Sequence, residues 1–416
     1  MEIFHGNMVY ARSHSELAEF TDTYLAVENG LVEGLYPVLP ERLAGAPVTE
    51  LGEDVLIPAF SDLHVHAPQY PQRGLAMDEL LPDWLERHTF PLEARFAEPS
   101  FARAVYDAFL DDLIAHGTLH AAVFGTIHRE ATGYLLERME ARGLPGFVGK
   151  VNMDTDSPPA LCETTADSLR ETESFLSRYS GNRFTRPILT PRFAPSCSRE
   201  LLAGLGKLGA KYAVGVQTHV VESLWEAAEA RRRFPDCSCD TEIYEKAGLL
   251  DNGPVIAAHF IFPSEADIRI LQKHRGLAVQ CPDATVSVIA GIMRTAALAE
   301  RGTALALGSD LAAGHSPGVF HQAARAVQLS KLKAFYEPED NRAISFPQAF
   351  RMATQPDGEP FGKLGRFEPG YRFDALVIGG VADPFLPLTP AQTVERFCYL
   401  GETRHIRARY LNGEKL

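Results

Sequence analysis

Apolar runs of strand length recur from about residue 55 to residue 310, at 55–60 running into 63–66, then 121–127, 146–153, 187–193, 213–219, 255–261, 277–281 and 304–309. They are continuously apolar rather than alternating, as parallel strands covered on both faces are. Between them, stretches such as 132–141, 164–178, 199–211 and 264–274 repeat their apolar residues at helical spacing. Eight strands with intervening helices predict an α/β chain folded as a (β/α)8 TIM-like barrel. An open doubly wound sheet is the alternative, and it is weakened because no G-x-G-x-x-G follows the first strand.

The two ends carry a different pattern. Residues 1–54 hold short alternating segments, 24–27 and 31–34, separated by Gly and Pro turns, and residues 370–416 do the same at 373–378 and 406–411. Neither end can bury a core alone, so a small β-sandwich formed from both termini is expected. The resulting division is 1–57 and 370–416 for the sandwich and 58–369 for the barrel.

Composition narrows the class. The 416 residues suffice for one large domain and a smaller one. A net charge of -14 argues against a nucleic-acid partner, since phosphate binding needs a basic surface. No apolar stretch reaches membrane-spanning length, and the N-terminus has no apolar signal core, so a cytoplasmic protein is expected. Of the six cysteines only Cys237 and Cys239 are close together. Without a second pair they read as reduced thiols rather than a zinc site.

The chemistry sits at the ends of the apolar runs. His64 and His66 close the first, and residues i and i+2 of a strand share a face. His219 follows YAVGVQT, His259 follows PVIAA, and Asp310 follows ALALGS. Delivery of functional groups from strand ends is how a parallel barrel builds an active site. Imidazole and carboxylate together suit zinc or iron(II). Taken singly, the H-x-H could be two mouth histidines bonded to carbonyls, and Asp310 a helix N-cap. As a set they point to one divalent metal, with Asp310 also able to accept a proton. Glu222, three residues past His219, is the candidate general acid/base, the alternative being an acid in the first turn of a helix.

This order of H-x-H, His-x-x-Glu, a further His and a closing Asp resembles the amidohydrolase superfamily in its mononuclear deaminase branch. The strings DLHVHAPQYPQRG, WLERHTFPLE, FGTIH, FVGKVNMD and TPRFAPSCS are similar to guanine deaminases, over roughly residues 55–330. The resemblance implies that His64, His66, His219 and Asp310 hold one zinc per subunit, with iron(II) compatible, and that His259 stabilises the tetrahedral centre. Glu222 would protonate a purine ring nitrogen and carry a proton to the leaving ammonia. Gln69, Arg192 and Phe193 would orient the base, Phe193 being readable as a core residue too. Apart from the resemblance, Trp84 and His88, just ahead of TFPLE in an apolar helix-like stretch, read either as closing over the pocket or as core. A flat polar heterocycle does need an amide or guanidinium at its edge and an aromatic at its face. The implied protein is a homodimer that turns guanine into xanthine and ammonia in purine catabolism.

Two features bear on this. Relatives with two metals bridge them by a lysine on the fourth strand, where PILTPRF has none, and Lys150 on the third is out of place. The H-C-P-x-S-N pattern of many relatives reads QCPDAT at residues 280–285, expected near the substrate pocket. That change favours another amino-heterocycle (an 8-oxopurine, a pterin or a triazine), whereas Gln69 and the Arg192-Phe193 pair favour guanine. Ring-opening amide hydrolysis and a metal-free scaffold are further alternatives. His315 is expected to face solvent.

Overall fold

The structure is a computed structural model that describes residues 1–338 and 342–416. Strands β1 (Glu2–Ala11), β2 (Leu17–Glu28), β3 (Leu31–Tyr36) and β4 (Val48–Pro58) open the chain. In the centre follow β5 (Phe60–His66), β6 (Thr118–Phe124), β7 (Gly146–Gly149), β8 (Val151–Asn152), β9 (Thr185–Pro187), β10 (Thr190–Pro191), β11 (Val216–Val220), β12 (Val255–His259), β13 (Leu277–Gln280) and β14 (Ala304–Leu307). The chain closes with β15 (Ala375–Ile378), β16 (Ile406–Leu411) and β17 (Glu414–Lys415).

Both chain ends enter one seven-stranded sheet, in the order β17-β16-β15-β4-β1-β2-β3. A two-sheet sandwich was expected. Instead β15 pairs edge to edge with β4, from Ala375 opposite Pro58 to Ile378 opposite Val55. That pairing satisfies a strand edge that would otherwise be open. Tight turns set the register of two hairpins. Asn29-Gly30 joins β2 to β3 with both residues at positive φ, the combination a two-residue hairpin of right-handed twist requires. The period of two along β4 and β15 divides their side chains cleanly. Val55, Ile57, Leu376 and Ile378 join the main core, while Leu56, Ala375 and Val377 join a smaller cluster with Phe4, Phe373 and Tyr410.

The centre is α/β. Strands β5-β6-β7-β9 form one parallel four-stranded sheet and β11-β12-β13-β14 another, with β8 and β10 paired alongside. Helices including Arg129–Ala141, Thr165–Tyr179, Arg199–Tyr212 and Glu265–Lys273 alternate with them, as their apolar spacing predicts. The ladder is not continuous around the eight positions. An isolated parallel bridge, Leu189 to Val216, links the two sheets on one side. On the other, Asp310 N donates to His64 O at 2.8 Å and His66 N to Leu311 O at 3.2 Å. The run at 55–60 also divides, with Val55 to Pro58 in the terminal sheet and Phe60 starting β5.

A buried polar chain fastens the terminal sheet to the centre. Ser61 Oγ lies 3.0 Å from His120 Nδ1, and His120 Nε2 lies 3.0 Å from Asp374 Oδ2. Asp374 immediately precedes β15, and its other oxygen accepts from Asn412 N at 2.6 Å.

Candidate active site

Every residue of β5 is buried, and its last turn of pleat sends His64 and His66 toward the ends of β11, β12 and β14. His66 Nε2 and His219 Nε2 are 3.2 Å apart. Asp310 Oδ1 lies 3.2 Å from His64 Nε2 and 3.4 Å from His66 Nε2. Four ligands about 2.1 Å from a tetrahedral ion would stand ~3.4 Å from one another, and these three separations are compatible with such a set. Both ring nitrogens of His64 and of His259 are buried without a hydrogen-bond partner, and a cation bound to one nitrogen of His64 would relieve part of that cost. His219 Nδ1 donates to Arg192 O at 2.6 Å, which leaves its Nε2 lone pair for an ion. Burial first, and then the charge of His64 beside them, pushes His66 and His219 well below the ordinary histidine range, so both stay neutral and able to ligate.

His259 and Asp310 face the same point from the other side. His259 Nε2 is 3.7 Å from Glu222 Oε1 and 3.8 Å from Asp310 Oδ2. Both His259 and Asp310 have left-handed backbones, with φ of 70° and 48°, a conformation that costs on the order of 1–3 kcal/mol in a non-glycine residue and clusters at functional sites. Asp310 is no N-cap, because the next helix starts at Val319 behind Gly318. Glu222 likewise stands ahead of the helix Leu224–Arg233, whose first-turn acid is Glu226. Burial, and then the negative charge of Asp310, pushes the Glu222 carboxyl up to about 8, so it holds a proton at neutral pH.

These groups floor a cavity of about 540 Å³. Its walls include Gln69, Arg192, Phe193 and Trp84, the four side chains singled out for the base, together with Phe90 and Trp225, which the sequence did not single out. Trp84 is buried and also packs in the main core, and Trp225 is largely exposed, 6.4 Å from the Phe193 ring. Behind the polar wall stands Glu93, also unforeseen as a site residue. Its carboxylate accepts from Gln69 Nε2 at 3.0 Å and from Arg192 Nη1 and Nη2 at 2.6 and 3.2 Å.

The segment at residues 280–285 does not line the cavity, contrary to expectation. Asp283 turns away to accept from Gln322 Nε2 and Arg325 Nε, and Cys281 approaches His64 and His259 from behind. His88 contacts Glu79 outside the cavity, and the His315 side chain is half exposed. Lys150 is buried, with its Nζ donating to Glu163 Oε2 at 2.6 Å. All six cysteines are free.

Comparisons with known proteins follow the same line. The model of the amidohydrolase family matches residues 55–415. Over 383 residues the chain is 33% identical to a guanine deaminase of Dictyostelium discoideum, covering 89% of this chain and 84% of that one. It is 31% identical to a guanine deaminase of Homo sapiens over 379 residues, 87% and 83% of the two chains. Among solved structures, guanine deaminase from C. acetobutylicum with bound guanine in the active site superposes with a TM-score of 0.96 at 37% identity, over 100% of this chain and 99% of that one.

Proposed function

Because the chain belongs to the amidohydrolase family, we propose that its strand-end cluster and the cavity above it deaminate guanine hydrolytically, to xanthine and ammonia. The observation that carries this reading is the arrangement of the cavity. A neutral polar wall of Gln69 and Arg192 faces a floor where a protonated carboxyl, a free imidazole and a ligand set converge.

His64, His66 and His219, with Asp310 beside the first two, would hold one divalent ion, zinc by the chemistry of the donors, with iron(II) compatible. Bound there, such an ion supplies the Lewis acidity that makes water a competent nucleophile at neutral pH. The rest falls to the chain. Gln69 and Arg192 hold the edge of the base, and Phe193 with Trp84 covers its faces. Glu222 gives its proton to a ring nitrogen, which draws electrons from C2 and opens it to attack by water. His259, with no other partner for its ring nitrogens, donates to the oxygen as it becomes tetrahedral. As water adds, one of its protons goes to the Glu222 carboxylate, which passes it to the amino nitrogen. The C2–N bond breaks with its electron pair leaving on ammonia, and the remaining hydroxyl proton returns to Glu222 as the C2 carbonyl of xanthine forms.

The two four-stranded sheets read as halves of one (β/α)8 barrel, joined through the Leu189–Val216 bridge and the β5–β14 hydrogen bonds, with 58–369 as the catalytic domain. No helix among the described residues is long and apolar enough to cross a membrane. Free cysteines accord with a cytoplasmic setting, and the family resemblance implies a homodimer.

The test is ammonia release by zinc-loaded protein given guanine, 8-oxoguanine, pterins and adenine. Fast, selective release from guanine with xanthine formed is expected. Silence on guanine with turnover of another compound would move the substrate and keep the chemistry.

A further inference from the structure

Arg192 and Gln69 do not meet a substrate as free side chains. Each is already held by the same buried carboxylate, Glu93, which is 3% exposed and lies outside the cavity lining. Glu93 takes one N–H from each terminal nitrogen of Arg192 and one from the Gln69 amide. Ala312 N donates to the other end of that amide, Gln69 Oε1, at 3.3 Å. With an acceptor at its nitrogen and a donor at its oxygen, the amide has one orientation. Arg192 retains Nε–H and one N–H on each terminal nitrogen, and Gln69 retains one N–H and one lone pair.

We propose that Glu93 is the positioning residue of the base-recognition wall, and that by pairing with Arg192 it sets the site for a neutral, acceptor-rich heterocycle and against an anion. This rests on the guanine reading and deepens it. The wall offers chiefly donors, which suits the carbonyl and bare ring nitrogens of an oxopurine, while the Arg192–Glu93 pair sums to no net charge. An arginine without that carboxylate would be a buried cation facing the cavity, and a buried charge left without its partner seeks another. Charge pairing therefore excludes anions of the right shape, such as heteroaromatic carboxylates, that the donor pattern alone would welcome.

The experiment uses the metal-loaded full chain and the variants Glu93→Gln and Glu93→Asp. Two measurements are made: guanine kinetics, and binding by calorimetry of benzimidazole-5-carboxylate against its neutral 5-carboxamide. In Glu93→Gln, KM for guanine should rise on the order of 10- to 100-fold, as the loss of charge-assisted hydrogen bonds predicts, with kcat changed much less. The preference for carboxylate over carboxamide should shift toward the anion by about tenfold or more. Glu93→Asp, which keeps the charge, should restore the wild-type preference. A variant that merely loosens the fold weakens both probes alike, so an unchanged preference in Glu93→Gln overturns the proposal. So does an unchanged KM. If wild-type protein ignores guanine, the functional reading fails on its own, and the two probes still decide the role of Glu93.

Discussion

Among single residues, Glu222 bears most directly on the proposed chemistry. If its proton is the one given to the ring, Glu222→Gln should lower turnover by about 100- to 10,000-fold, with metal content, measured by elemental analysis, unchanged. The same residue should also strain the fold. In metal-free protein Glu222 keeps up to about 8 a proton that the unfolded chain releases near 4.5. The folded state thus binds more protons across that window, and stability falls as pH rises through it. Glu222→Gln should lessen that slope, to which Glu226, Asp240 and Asp62, also raised by burial, contribute as well, and raise the Tm of metal-free protein at pH 8, read by thermal melts from pH 5 to 9. An unchanged slope would mean the carboxyl is hydrated rather than buried. Single residues also mark how far sequence reading reaches. His64, His66, His219, His259 and Asp310 were legible because each ends an apolar run, which fixes both its face and its depth. Glu93 lies within HTFPLE, yet its partners are 24 and 99 residues away, and no local period reports those. Trp225 was hidden for another reason, since an exposed aromatic at the start of a helix carries no sign that a cavity lies beside it.

Among elements, the seam between β5 and β14 decides whether the ligand set can form. A methyl group added at Gly308 would meet His64 Cβ at 2.8 Å and the His64 backbone nitrogen and oxygen at 3.0 Å. The backbone there cannot step aside, because Asp310 N and His66 N bond across the same seam. Gly308→Ala should therefore cost on the order of 1–3 kcal/mol and also reduce zinc stoichiometry, checked by melts and elemental analysis together. Loss of stability with full zinc would show that the seam bends without moving His64. Most central elements were readable from continuous apolar runs. The exceptions have physical causes. The run at 55–60 changes sheets at Ala59, a switch that an unbroken apolar string conceals. At the chain ends, period-two patterns reveal strands but not which edge each will choose, so a sandwich was expected where β15 docks beside β4. The irregular stretch between Leu81 and Ala97, which supplies Trp84, Phe90 and Glu93, has no single period to read.

At the scale of the whole molecule, the Ser61–His120–Asp374 chain ties the terminal sheet to the strand that carries His64 and His66. Burial pushes the Asp374 carboxyl up, but the hydrogen bond and charge of His120, with Arg372 and Asn412 N, hold it below its ordinary value. The stability it contributes is complete above the unfolded value of ~3.9 and is lost as pH falls through the lower folded one. Asp374→Asn should cost on the order of 3 kcal/mol at neutral pH, as a buried pair that loses one partner does. Its Tm should also depend less on pH between 4 and 2 than that of the wild type. Equal acid sensitivity in both would place the acid-labile group elsewhere. The sheet that this chain anchors also has a history in time. One edge of β4 waits for β15, which lies roughly 320 residues later in the chain. At ~5–20 residues per second of synthesis, the ribosome leaves that apolar edge bare for roughly 15–60 s. An unpaired strand of this kind is a template for neighbouring nascent chains. The yield of soluble protein on overexpression should thus depend on how quickly translation passes residue 375, and ribosome stalling before that point should send product into aggregates.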